Sequence, residues 1–268
     1  MADQEPVGGE DAVDGVRSSL DGAVLTLRLD HPRKLNALTW RMYDELEQHA
    51  RDVAGDPRVR AVVLTSTGDR AFAAGTDIAQ FPGFDADAGL RYEQRVRAVL
   101  EALQAVPVPV VAAVPGLAVG AGLVLAAACD LVVAAEDVQF GAPVSRTLGN
   151  CIDASAVELV RRRLGAARTD QLLLAADLVS AAELAPSGFI TRLLPAGSDP
   201  RPVAAELART IAGGAPLSVR ALKQTSRRLD HDPEADCDDL VGACYGSADF
   251  AEGVQAFLAR RPASWEGR

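Results

Sequence analysis

The chain has 268 residues, with 37 Asp and Glu against 27 Lys and Arg, for a formal net charge of −10. That length allows one large domain or two small ones with a sizeable core, and the acidic balance argues against nucleic acid as the main partner, because binding a phosphate backbone rests on its neutralisation by Lys and Arg. Hydrophobic residues make up 49% but aromatics only 4%, so the core is built from Ala, Val and Leu, a globular composition rather than a disordered or membrane one.

The first fourteen residues, MADQEPVGGEDAVD, carry five acids, and no base precedes Arg17. Residues 1–18 therefore read as a solvated, disordered acidic tail and not as a signal or transit peptide. Residues 23–29 (AVLTLRL) alternate as a half-buried strand does, and residues 60–65 (RAVVLT) suit a buried strand. Between them, Met42, Leu46, His49 and Val53 recur at helical spacing behind Thr39, a helix-capping residue. A helix over 88–106, a strand over 108–114, a Gly-rich turn, a helix over 123–128 and a strand over 130–134 follow. This alternation predicts an α/β domain with a largely parallel sheet. Beyond residue 155 the pattern is helical throughout, so the expected organisation is a core over 19–200 and a helical region over 201–268.

Cys129, Cys151, Cys237 and Cys244 form no CxxC pair and the chain has three histidines, which predicts neither a metal site nor a disulfide framework and makes a reduced, cytoplasmic protein the default. The longest apolar run, 105–129, is broken by Pro107, Pro109 and Pro115 and is no membrane span. Nucleotide-binding, metalloprotease and α/β-hydrolase signatures are missing; Gly116, Gly120 and Gly122 have the wrong spacing for a dinucleotide loop. His31, His49 and His231 read as surface or core-edge residues.

Two turns rich in small residues each follow a predicted strand: AFAAGTDI over 71–78 and PGLAVGAG over 115–122. Main-chain amides exposed at such turns can hold an oxyanion between them, worth on the order of 2.7–4 kcal/mol per donor at a transition state. Tight helix–strand packing explains the same glycines.

These segments, together with His31-Pro32, Asn36-Ala37-Leu38, residues 109–130, Phe140-Gly141-Ala142-Pro143 and residues 251–261, resemble the crotonase, or enoyl-CoA hydratase/isomerase, superfamily nearly end to end. The resemblance implies a ClpP/crotonase-like α/β fold of repeated ββα units with a helical C-terminal region. It also implies a homotrimer or dimer of trimers, an acyl-CoA substrate and no separate cofactor. The thioester carbonyl would be polarised by the amides of Thr76 and Ala121. Leu35, Ala37, Asp77 and Ile78 match positions that flank the CoA. Ala74, Gly120 and Gly122 belong to the two turns that face it. Arg33, Lys34 and Arg70 are candidate phosphate partners, though residues of this kind are more often solvated surface charges.

Departures from the family pattern narrow the chemistry. Hydratases of this family resemble one another in two glutamates that handle water and the α-proton; the matching positions here are Val124 and Val144, which would line the acyl pocket without transferring protons. Asp153 stands where isomerases and dehalogenases of the family carry an aspartate, so it is the candidate proton shuttle, with a carboxyl expected to be raised by an apolar pocket. As a helix cap before residues 156–160 it is equally well explained. Cys151 reads as packing, Asn150 as a possible donor, and Glu158 as facing either pocket or solvent. The dehalogenase reading ranks below proton transfer, since no histidine or tryptophan stands near the matching positions. The acidic cluster 230–239 and Arg161 to Arg163 read as solvated faces or contacts between subunits. Two functions of different class stay open: an isomerase-like acyl-CoA enzyme, and a non-catalytic acyl-CoA-binding or assembly subunit of the same fold.

Overall fold

The computed structural model describes residues 14–268. Its elements run β1 (Gly15–Asp21), β2 (Val24–Asp30), α1 (Trp40–Gly55), β3 (Ala61–Ser66), β4 (Ala71–Ala73), α2 (Ala86–Ala105), β5 (Val110–Val114), β6 (Leu117–Val119), α3 (Ala121–Ala128), β7 (Leu131–Ala135), β8 (Gln139–Gly141), α4 (Val144–Thr147), α5 (Ala154–Leu164), α6 (Ala166–Leu173), β9 (Leu178–Ser180), α7 (Ala181–Leu184), β10 (Arg192–Leu194), α8 (Pro200–Ala212), α9 (Pro216–His231), α10 (Asp238–Tyr245) and α11 (Ala248–Leu258). A strand–strand–helix unit repeats. In the pairs β3/β4, β5/β6 and β7/β8, the first strand joins a six-stranded sheet ordered β1-β2-β3-β5-β7-β10 and the second a four-stranded sheet ordered β4-β6-β8-β9. The large sheet is parallel apart from the β1–β2 hairpin.

Strands buried on both faces explain the near-continuous apolar runs. Val62 and Leu64 of β3 and Val110, Ala112 and Val114 of β5 face the main core with α1, α2 and α3, whereas Ala61, Val63, Val111 and Ala113 face Ala204, Ala208 and Ala212 of α8. Alternate residues thus fill two layers. Thr39 caps α1, its hydroxyl accepting the Met42 amide, and Met42, Tyr43, Leu46, Ala50 and Val53 form the buried stripe.

Several expectations need correction. The part of the expected tail over 15–18 pairs with β2 as strand β1; residues 1–13 lie outside the described residues. The region beyond 155 is not wholly helical, because β9 and β10 extend the two sheets. The expected boundary at 200 falls at the start of α8, which packs on the large sheet as part of the core. The short strands β4, β6 and β8 carry three residues each, too few to leave an alternation in the sequence. No described helix is long and apolar enough to cross a membrane.

Candidate functional site

The three parallel strands of the small sheet end side by side and deliver three backbone segments to one place. β4 pairs with β6 and β6 with β8. Beyond β4 come Gly75 and Thr76, beyond β6 come Gly120 and Ala121, and beyond β8 come Ala142, Pro143 and Val144. Gly75 and Gly120 have φ of +96° and +55°, and a Cβ on Gly120 would lie 3.6 Å from Gly75 Cα. The two turns therefore touch through backbone, which only glycine permits at these dihedrals. Ala121 is the first residue of α3, so its amide carries the positive end of the helix dipole. Among the described residues neither the Thr76 nor the Ala121 amide donates a hydrogen bond. The pair expected as an oxyanion hole is present as two uncommitted donors on adjoining turns.

Gly122 has a different cause. A Cβ there would stand 2.1 Å from the Ala73 carbonyl oxygen, so close packing of α3 on β4 demands glycine whatever lies in the site.

The first turn is held from behind by the segment 31–38. Asn36, buried and at φ +54°, donates from its side chain to the Thr67 and Ala71 carbonyls at 2.9 and 2.8 Å, while its Oδ1 accepts the His31 amide at 2.9 Å. The Leu38 and Asp77 amides donate to the Gly75 and Leu38 carbonyls, and the Ala74 amide to Leu35. Two successive left-handed residues, Leu35 and Asn36, are costly in backbone strain, of order 1–3 kcal/mol each, and this network offsets it. Asn36 is thus an organiser of the first turn; its place between His31-Pro32 and Leu38 was the available signal.

Thr76 is fixed by its side chain as well. Its hydroxyl bonds the Tyr43 hydroxyl at 2.6 Å and the Tyr92 hydroxyl at 2.8 Å. Burial pushes both phenols up, Tyr43 well above its usual range. Trp40, Phe81, Phe84 and Tyr92 pack ring against ring beside them. With Tyr43 these are five of the chain's twelve aromatic residues, two Trp, three Tyr and seven Phe, so a scarce residue type is concentrated on one wall.

Val124 is buried in α3 and Val144, half-buried, opens α4. Asp153 takes up its helix-cap reading and departs from the expected raised carboxyl. It is the N-cap of α5, with Oδ1 accepting the Ser155 amide at 2.9 Å, and it is ion-paired to Arg97 of α2. The Arg97 bonds, with those of Ser155, outweigh the burial that would raise its carboxyl and bring it down to about 2, the reverse of the expected rise. The carboxyl that is raised belongs to Glu93, which sequence reasoning missed: burial lifts it, the Asp153 amide bond opposes, and the Asp153 charge adds to the rise. Its Oε2 accepts the Asp153 amide at 2.9 Å.

The CoA-flanking candidates divide. Ala37 is buried with its carbonyl bonded to His31 Nδ1 at 2.9 Å, Leu35 and Ala74 are half-buried beside the first turn, and Ile78 is 57% exposed. Lys34 pairs with Asp77 at 2.8 Å across the two segments. The Lys34 and Ala79 bonds outweigh the burial that would raise Asp77 and leave its carboxyl below the usual range. Arg33 is exposed on the same loop. Arg70 is not brought there: it precedes β4, at the opposite end of the strand from Thr76, and its backbone lies against Gly116. Asn150 and Cys151 are exposed, and Glu158 is exposed and paired with Arg162.

A family model described as enoyl-CoA hydratase/isomerase matches residues 19–268. The chain belongs to that family. It is 35% identical over 251 residues to a probable enoyl-CoA hydratase (echA6) of Mycobacterium tuberculosis, covering 91% of this chain and 96% of that protein. It is 32% identical over 264 residues to the 1,2-epoxyphenylacetyl-CoA isomerase of Escherichia coli, covering 94% and 98%. Among solved structures, an enoyl-CoA hydratase/carnithine racemase from Magnetospirillum magneticum superimposes with a TM-score of 0.88 at 31% identity, covering 96% of this chain and 97% of that one. The crotonase fold and membership of an acyl-CoA-processing enzyme family are thereby established for the chain.

Proposed function

We propose that the protein binds an unsaturated acyl-CoA thioester with its carbonyl oxygen on the Thr76 and Ala121 amides, and that it carries out isomerase-like proton transfer through the resulting enolate rather than two-glutamate hydration. The observation that carries this reading is the pair of uncommitted amides on adjoining turns. Donors fixed in place before reaction stabilise developing negative charge without reorganising. Val124 and Val144 can neither activate water nor return a proton, which counts against hydration. Asp153 and Glu93 remain as carboxylates beside α2 and α5. The relatives bear hydratase and isomerase names alike, and both carry only the shared acyl-CoA class.

Arg33 and Lys34 stand on the segment that flanks the first turn and are proposed to meet the CoA phosphates; Asp77, paired with Lys34, is proposed to flank the CoA, and Arg70 is not proposed. A homo-oligomer is also proposed. Tyr245, Phe250, Val254, Phe257 and Leu258 of α10 and α11 are 43–83% exposed, an apolar face of the kind a second copy covers.

A second reading, a non-catalytic acyl-CoA binder, is favoured by the two valines and by the engagement of Asp153 in a cap and an ion pair. Incubation with β,γ-unsaturated acyl-CoA in deuterated water, read by mass spectrometry, separates the two. Deuterium at the α- or γ-carbon supports proton transfer; tight binding with no deuterium supports the binder.

A further inference from the structure

Glu93 lies in α2 between the two parts of the site. Tyr92, its neighbour, bonds the Thr76 hydroxyl, and the Glu93 Oε2 accepts the Asp153 amide at 2.9 Å. α2 packs on α3, which begins at the Ala121 amide, and on α5, which Asp153 caps. The side chain is half-buried, and its second oxygen, Oε1, has no hydrogen-bond partner among the described residues, nor is it sealed from accessible space as the unpartnered Arg95, Arg163 and Arg220 nitrogens are. One oxygen is thus anchored and the other unpartnered, on a side chain whose charge acts on the Tyr43 and Tyr92 phenols that hold the Thr76 hydroxyl. Asp153 contrasts with it at every point: its oxygens serve Arg97 and Ser155.

We propose that Glu93 is the proton-transfer group of this site, an assignment that rests on the acyl-CoA reading above. In the step inferred, Glu93 Oε1 takes the α-proton of a β,γ-unsaturated thioester. The C–H bond breaks, an O–H bond forms on the carboxyl, and the electron pair moves into a dienolate whose oxygen sits on the Thr76 and Ala121 amides. The carboxyl proton exchanges with solvent while the dienolate persists; the carboxyl then gives a proton to the γ-carbon, its O–H bond breaks, a C–H bond forms, and the double bond comes to rest between the α- and β-carbons. No oxidant, reductant or water is consumed. Anchoring of Oε2 by the Asp153 amide fixes the carboxyl during both transfers, so the helix cap becomes a positioning device for its neighbour.

The charged and titratable groups around Glu93 are Arg97 on its own helix, Asp153 ahead of α5, Tyr92, and Tyr43 from α1. Both phenols are kept neutral by burial, so the acidic limb of a rate profile belongs to Glu93 against the Arg97–Asp153 pair. A carboxyl held above its usual range is better matched to giving the proton back near neutrality than one held near 2.

The test measures solvent-deuterium incorporation into trans-3-hexenoyl-CoA against pH for the full-length protein, Glu93→Gln, Glu93→Asp and Asp153→Asn. Gln keeps an acceptor for the Asp153 amide and cannot carry the proton. The expected result is a loss of exchange of about 100-fold or more in Glu93→Gln, with acyl-CoA binding and thermal melting unchanged, and partial recovery in Glu93→Asp. In Asp153→Asn the acidic limb moves to lower pH, because a neighbouring negative charge is removed and Arg97 is left facing Glu93; a purely structural Glu93 would not set that limb. Exchange in Glu93→Gln equal to the wild type overturns the assignment of Glu93 alone. Binding without exchange in the wild type overturns the enolate reading on which it rests.

Discussion

Gly120 rests against Gly75, each reaching the other's turn through backbone: a Cβ at Gly120 would meet Gly75 Cα at 3.6 Å and one at Gly75 the Val119 carbonyl oxygen at 3.5 Å. This contact holds together the two turns that carry the Thr76 and Ala121 amides. It arises because β4 and β6 are parallel neighbours whose turns leave the sheet at the same end. Ligands in open α/β sheets lie outside the carboxyl ends of the strands for the same geometric reason.

Gly122→Ala should displace α3 from β4, since the added Cβ would start 2.1 Å from the Ala73 carbonyl oxygen. A destabilisation of about 1–3 kcal/mol is expected from such overpacking, together with loss of deuterium exchange as the Ala121 amide moves away. Urea denaturation and the exchange assay on one preparation measure both effects.

Asn36→Ala removes the bonds that hold Ala71 and Thr67 and leaves alanine at φ +54°. The Thr67 carbonyl and the His31 amide lose their partners, worth about 1–3 kcal/mol each, while the Ala71 carbonyl keeps the Ser66 hydroxyl at 2.9 Å. The midpoint of denaturant unfolding should fall clearly, whereas a midpoint like that of the wild type would mean that the loop is held by other bonds.

How far the site could be read from the sequence depended on the length and contacts of each element. The strands β2, β3, β5 and β7 and helices α1, α2 and α3 were legible because five or more residues repeat one period. The small sheet was not, since three-residue strands are made by pairing across the chain. The two turns that carry the Thr76 and Ala121 amides were legible in their runs of small residues, and the family resemblance offered the amides as a pair. Glu93 was invisible, because its helix displays several acids and only folding brings this one to the Asp153 amide. The sign of the Asp153 shift failed for the same reason: Arg97 is 56 residues away in sequence.

Asp153 makes the stability of the protein sensitive to acid in a defined window. Its folded carboxyl lies at about 2 against an ordinary value of 3.8, so the stabilisation is fully present above the ordinary value and is lost as pH falls through the folded one. The difference in melting temperature between the wild type and Asp153→Asn should hold constant above about pH 5 and shrink between about pH 4 and 2. Asp153→Ala, which also loses the cap, should cost about a further 1 kcal/mol. A difference that persists undiminished at pH 2 would contradict the ion pair.

Lys223 ties α9 to the sheet, its Nζ donating to the Val108 carbonyl at 2.9 Å and to Asp130 at 2.7 Å while Asp130 also accepts the Val110 amide. Lys223→Met should destabilise by about 3 kcal/mol, the lower end for breaking a buried pair, since Asp130 stays partly solvated. Limited proteolysis should then release the α9–α11 segment before the core.

Replacing Phe257 and Leu258, 83% and 77% exposed, by glutamate should leave each chain folded and convert a homo-oligomer to a monomer. Light scattering behind size-exclusion chromatography measures this, and a wild type that elutes as a monomer would remove the proposed assembly.

The claim on which the functional account turns is that a thioester carbonyl sits on the Thr76 and Ala121 amides. Difference infrared spectroscopy of an acyl-CoA labelled with 13C at the carbonyl, free and bound, reads that contact directly. Two hydrogen bonds from fixed amides weaken the C=O bond, so the labelled stretch should move to lower wavenumber on binding, and the shift should diminish in Gly122→Ala. A bound stretch unchanged from that in solution would contradict the oxyanion hole.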